Sequence, residues 1–229
     1  MSRSLLAMRW EDVLFAHWAV DPGVVAATLP EGLTVDTDDG DAYLGVVGFR
    51  MRSIRPRGFP VGLSFPELNL RTYVRADDGP GVYFYNLDAA DRIGVAVARG
   101  LFRLPYYRAE MDVDDRSDGT IAFRSRRVHS GAPSARFDAD YRPRGDPEPV
   151  APDSLAAFLT ERYRFYTASD GGRLYRGTIE HPPWDLAEAT LSVRENTLFE
   201  VNGFDHPEGD SLVHYAPGVD VTAGPIRPL

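Results

Sequence analysis

Short apolar segments with turn residues between them limit most strongly what this chain can become. Alternating or wholly apolar runs recur along its length, and Asp-Asp-Gly, Gly-Pro-Gly and Ser-Asp-Gly separate them. Such punctuation predicts many short strands and a barrel or sandwich. Asp12 to Val20 reads as a strand with Val13, Phe15, His17 and Ala19 on one face. Asp21 and Pro22 then open a short helix ending near Leu29-Pro30. Leu33–Asp36 and Ala42–Ile54 are expected to form a hairpin about Asp38–Asp41, and Leu68–Val74 and Val82–Leu87 a second. Ile93–Arg99, apolar on both faces until its last residue, reads as a central strand. Tyr106–Val113 and Thr120–His129 flank Ser117-Asp118-Gly119. Arg142–Asp153, with four prolines, reads as an extended loop leading into a helix from Ser154 to about Tyr163. Strands are expected near Arg173–His181, Ala189–Glu195, Thr197–Asn202 and Ser211–Tyr215. The stretch after Arg164 offers only a thin core of its own. The expectation is therefore one mainly β domain over 1–229 with a few flanking helices.

Cysteine and lysine are both missing. There is no cysteine, and all 25 basic residues are arginine. This excludes disulfides, thiolate nucleophiles, cysteine-ligated metal sites, Schiff-base lysines and a P-loop. Aspartate supplies 23 of the 34 acidic residues, and the net charge is −9. A lysine-free, aspartate-rich surface fits adaptation to molar salt, where arginine pairs bidentately with carboxylates and is weakly hydrated; a GC-rich genome would push the same way. At ~1 M salt the Debye length is ~3 Å, so charge acts only at contact. The negative balance argues against nucleic acid and anionic membranes as partners. The longest uncharged apolar run, Ala42–Phe49, is too short to span a bilayer, and Arg9, Glu11 and Asp12 break any signal-peptide pattern. A cytoplasmic protein is expected.

The most informative segment is Phe65–Val74. As a strand it puts Glu67, Asn69, Arg71 and Tyr73 on one face. Either that face meets solvent, the commoner arrangement, or it lines a cavity. In the second case Arg71 would clamp a carboxylate, Asn69 would bind beside it, and Glu67 or Tyr73 would move a proton. On the next strand Tyr83 and Tyr85 share a face, either as packing or with their hydroxyls at a pocket mouth. Arg99 would need a partner if buried, with Glu67, Asp88 or Glu110 as candidates. Tyr106 and Tyr107 are auxiliary proton donors, and Arg108 and Glu110 an exposed pair. The five histidines lack metal-ligand spacing, so no metal and no cofactor is expected. His17 reads as a core histidine, and the aspartates of 36–41 as solvated turns. Neither a serine-hydrolase elbow nor a dinucleotide-binding glycine motif is present.

Seven phrases, LFAHWAV (14–20), FPELNLRTYV (65–74), GVYFYNLDA (81–89), LPYYRAEM (104–111), LTERYRFYT (159–167), EHPPWDL (180–186) and HYAPGV (214–219), resemble the YqjF-like family, a domain of unknown function. More distantly, ATLPEGLTVD (27–36) and GVAVARGLFRLPYYRAEM (94–111) are similar to acetoacetate decarboxylase. The resemblance implies a cone-shaped β-barrel around a small ligand pocket, with helices at one side and Glu67, Arg71 and Arg99 near the pocket. The decarboxylase has its Schiff-base lysine and a neighbouring lysine directly after the proline; here Tyr106 and Tyr107 follow Pro105. Imine chemistry is thereby ruled out. Three readings follow: a lysine-independent acid/base enzyme, of lyase or isomerase type, on a small oxo or carboxylate compound; a non-catalytic ligand-binding or sensing barrel; or an interaction scaffold with a filled pocket. A homodimer would cover open edge strands.

Overall fold

The structure, a computed structural model, describes residues 4–91, 94–95, 103–169 and 171–229. Its strands are β1 (Leu6–Val20), β2 (Thr34–Val35), β3 (Ala42–Pro56), β4 (Leu63–Ala76), β5 (Gly79–Ala89), β6 (Tyr106–Asp115), β7 (Ile121–Arg127), β8 (Arg136–Pro149), β9 (Arg164–Ala168), β10 (Leu174–Glu180), β11 (Asp185–Asn196), β12 (Leu212–Ala223) and β13 (Arg227–Pro228). The helices among the described residues include the short α1 (Pro22–Ala26), α2 (Leu155–Thr160) and α3 (Leu198–Val201). None is long and apolar enough to cross a membrane.

All thirteen strands belong to one curved sheet that forks. Strands β12, β1, β3, β4 and β5 form a continuous antiparallel wall. At one end of the wall, Val82 and Tyr83 pair in parallel with β9 while Leu87–Ala89 pair in parallel with β6. At the other end, β12 pairs with β11 near Tyr215 and with β10 near Ala223. The ladder therefore closes twice, through β9 and β10 on one branch and through β6, β7, β8 and β11 on the other. The result is a barrel-like fold, as the sequence predicts.

A wall with a compartment on each side must bury both of its faces. Alternation sorts the side chains accordingly. Leu14, Leu44, Val46, Leu68 and Leu70 point toward Phe123 of β7, Phe137 of β8 and Phe199 of α3 in a filled core. Val13, Phe15, Val47, Phe49 and Met51 point to the opposite side.

Several local expectations are corrected. β2 pairs with β4, Thr34 against Arg75 and Val35 against Val74, so it does not form a hairpin with β3. Asp36 is buried rather than solvated, held by Arg162 at 2.7 Å and Arg75 at 2.9 Å. The proline-rich stretch after Arg142 is the second half of β8, paired with β11. Its pairing with β7 ends at Tyr141, so the prolines lie where one edge needs no N–H donor. The expected strand Thr197–Asn202 instead holds α3 (Leu198–Val201), where the Asn196 side chain accepts from the Leu198 N–H and Leu198 and Phe199 enter the filled core. Arg99 and most of the expected strand Ile93–Arg99 lie outside the described residues; Gly94 and Val95 are helical.

Candidate functional site

On β4 the side chains of Phe65, Glu67, Asn69 and Arg71 line a cavity of about 650 Å³. The polar row thus faces inward and does not meet solvent. Glu67, Asn69 and Arg71 are all buried. Most of the remaining lining is apolar and aromatic, including Trp10, Phe15, Phe49, Phe84 and Trp184. β1, β3, β4 and β5 supply one side of the cavity, and β9, β10 and the end of α2 close the other.

Arg71 marks the deep end. Its Nη2 donates to the Leu159 carbonyl at 2.9 Å and to the Tyr73 hydroxyl at 3.2 Å, and its Nε donates to the same hydroxyl at 3.3 Å. The guanidinium carbon lies 5.6 Å from the centre of the Phe15 ring. Among the described residues no carboxylate lies within salt-bridge distance of Arg71. A buried positive charge without a counter-charge is costly.

Tyr73 does not line the cavity. It stands behind Arg71 and orients it, giving its hydroxyl proton to the Leu159 carbonyl at 2.8 Å and contacting His17 Nε2 at 2.7 Å. Burial, together with the charge of Arg71, holds the His17 imidazole well below its ordinary range, so the ring is neutral. With the Tyr73 proton committed to Leu159, His17 Nε2 is the donor, and the buried Nδ1 has no partner among the described residues. Gly45 pairs with both His17 and Arg71 across the sheet. A Cβ there would sit 2.8 Å from the His17 ring, so this close approach requires glycine.

Four residues toward the mouth, Glu67 accepts a hydrogen bond from the Tyr106 hydroxyl at 2.8 Å. Burial pushes the Glu67 carboxyl up to about 8, with the nearby Asp88 charge adding to the rise and bonds from Tyr106 and Asn69 opposing it. It is mostly protonated at pH 7 and can give or take a proton near neutral pH. Burial and Glu67 together raise the Tyr106 phenol well above its usual value. The Asn69 carbonyl oxygen, on the same face, is buried without a partner among the described residues.

The other expected site residues lie elsewhere. Tyr83 and Tyr85 do not line the cavity; Tyr85 bonds Thr28 at 2.7 Å and packs on Phe204. The β4–β5 register explains this, because cross-strand partners share a face. Arg71 opposes Phe84 and Thr72 opposes Tyr83, with a bulge at Tyr85. Tyr107 is also turned away. It pairs with Asp88 in register, while Tyr106 pairs with the cavity residue Leu87. Its ring lies 4.3 Å from the Arg127 guanidinium, which forms a buried ion pair with Asp88 at 2.7 Å. Glu110 pairs with Arg126. Conversely, Trp10, Thr160, Arg162 and His181 line the cavity although the strand pattern does not single them out. Arg162 is neutralised by Asp36, and the Trp184 indole that follows His181 donates to the Thr160 carbonyl at 3.1 Å.

The family model of the DUF2071 family, described as an uncharacterized conserved protein, matches residues 7–220. The chain belongs to that family. A relative within it, the uncharacterized protein YqjF of Bacillus subtilis (strain 168), is 41% identical over 226 residues, covering 97% of this chain and 92% of the relative. Among solved structures, the enduracididine biosynthesis enzyme MppR complexed with pyruvate is similar at a TM-score of 0.66 and 14% identity, over 100% of this chain and 91% of that one. Acetoacetate decarboxylase from Legionella pneumophila is similar at 0.64 and 13% identity, over 97% and 86%. An acetoacetate decarboxylase-like enzyme from Sphingomonas wittichii RW1 is similar at 0.64 and 15% identity, over 99% and 94%. At these identities the likeness is one of fold. The DUF2071 chain described here shares the acetoacetate decarboxylase-like architecture.

Proposed function

We propose that this protein binds an anionic small molecule, a carboxylate or oxo acid, in the β-barrel cavity and acts on it by acid/base chemistry without a covalent imine. The observation that carries the reading is the buried Arg71 guanidinium. It faces an apolar cavity with no acidic partner among the described residues, and Glu67 lies on the same strand face. Arg71 supplies the anion contact. Glu67, bonded to Tyr106, supplies a carboxyl that exchanges a proton near neutral pH. A lysine-independent lyase or isomerase step fits this pair. A cavity of about 650 Å³ speaks against the scaffold reading, which needs a filled interior.

A second reading, binding without turnover, is favoured by the Glu67–Tyr106 hydrogen bond, since each group already partners the other. The test is a thermal-shift screen in molar potassium chloride over carboxylates, oxo acids and neutral analogues. A ligand at 100 times its Kd adds ~2.7 kcal/mol, which is on the order of 5–10 °C for a chain of this size. A carboxylate-dependent rise that Arg71→Met abolishes supports the site. If a turnover is then found, Glu67→Gln should lower it ~10²-fold or more; if it leaves turnover unchanged, the catalytic part of the proposal is lost.

A further inference from the structure

We infer that the ligand of this cavity is an amphipathic carboxylate, a fatty-acid-like compound with its head group at Arg71 and its acyl chain running along β4 toward Leu63. The inference rests on the carboxylate reading above and narrows it to a ligand class.

Size is the first argument. At ~30 Å³ per water-sized heavy atom in a liquid, about 650 Å³ has room for roughly twenty such atoms. An oxo acid of four or five carbons would leave more than half of it empty. An apolar lining of that extent favours an occupant that covers it with apolar surface.

The order of side chains along the wall is the second. Read outward on β4, the lining is Arg71, Asn69, Glu67, Phe65 and Leu63. Charge lies at the deep end, a mostly protonated carboxyl in the middle and hydrocarbon at the rim. Neighbouring β1 follows the same course, with Phe15 deep and Leu6 outermost. Arg71 and Leu63 are eight residues apart, or about 26 Å of strand at ~3.3 Å per residue. Behind Arg71 on its own strand side stand the buried Tyr73, His17 and Leu159, and across from them Val82, Leu104 and Arg164 complete this end of the lining.

The rim is the third. Val61 is 80% exposed, Leu5 48% and Leu63 36%, and all three also line the cavity. Exposed apolar side chains gathered at one opening mark a place where apolar matter enters or rests. A chain extending from Arg71 would end among them. Arg55 also borders the cavity at this end, bonded to the Ser53 carbonyl at 2.9 Å and hydroxyl at 2.8 Å. It is the competing head-group partner for a ligand bound the other way round.

The experiment is a fluorescence titration, using Trp10 and Trp184 of the cavity wall. The probes are unbranched carboxylates of four to eighteen carbons below their micellar concentrations, the matching primary alcohols, and oxo acids of three to five carbons. Affinity is expected to rise about fourfold per methylene until the chain reaches the rim. Arg71→Met should erase the preference for acid over alcohol at every length, and Val61→Asp should weaken only the longest chains. If short oxo acids bind and lengthening the chain adds nothing, the amphipathic inference falls while the carboxylate site stands. If Arg55→Met erases the acid preference and Arg71→Met does not, the orientation is overturned. If no acid of any length binds better than its alcohol, both readings fall together.

Discussion

The two sides of the β12–β1–β3–β4–β5 wall are built from the same strands and bury side chains equally well, yet one side is filled and the other hollow. On the filled side Leu68 and Leu70 meet Phe123 and Phe137, and the buried arginine, Arg127, has its aspartate at 2.7 Å. On the hollow side Glu67, Asn69 and Arg71 border a cavity of about 650 Å³, and Arg71 has no acidic partner among the described residues. A filled compartment with a paired charge serves stability. The hollow one forgoes that packing and leaves Arg71 without such a partner among the described residues. The contrast holds within one strand: neighbours Leu70 and Arg71 do opposite jobs because alternation sends them to opposite compartments.

The largest expected difference lies in the two arginines. Arg127→Met strands Asp88 in the filled core and should cost about 3–5 kcal/mol in urea unfolding. Arg71→Met strands no carboxylate and should be near neutral or stabilising without ligand. Equal losses would break the comparison. Next is the pH profile. The folded-state value of Glu67, about 8, exceeds its ordinary 4.5. Between those values the folded protein keeps a proton that the unfolded chain has released. Its contribution is therefore complete below about pH 4.5 and is lost as pH rises through 8, at a slope of at most about 1.4 kcal/mol per pH unit. Glu67→Gln should remove that slope in chemical-denaturation midpoints measured across the window; an unchanged slope would assign it to other groups. Asp138 and Asp140 are held below their usual range by bonds from Arg194, and Asp78 by bonds from Tyr166 and Arg176, so their contributions fade only in acid and do not overlap it. The finest test uses adjacent valines of β3. Val46 faces the filled core and Val47 the cavity, and both are buried. Val46→Ala should cost about 1 kcal/mol more than Val47→Ala, because only the former opens a new void. Equal costs would mean that the cavity wall is packed as tightly as the core.

Much of the fold was legible because its cause is local. Period-two alternation marks β1, β4, β6 and β7, and Asp21-Pro22 and Ser154 mark the starts of α1 and α2, where both side chains accept backbone N–H groups. Less local features escaped. Nothing within Arg142–Pro149 shows that β11 will pair with it, and nothing within Leu33–Asp36 shows that β4 is its partner. The β4 row is legible as a row, but whether Tyr83 and Tyr85 pack or reach a pocket stays open in the sequence because register with β4 decides the face, and one bulged residue is enough to change it.

Taken alone, the amino-acid sequence determined that the fold is strand-rich, that no lysine imine can form, and that Glu67, Asn69 and Arg71 travel together on one face. Those are matters of composition and of alternation within one segment. Tertiary structure decided that this face turns inward, that Tyr106 joins it while Tyr107 leaves it, and that Tyr73 stands behind Arg71 as its support. Each of those outcomes depends on pairing between distant strands, and a strand carries no signal of its own for the register in which its neighbours will meet it.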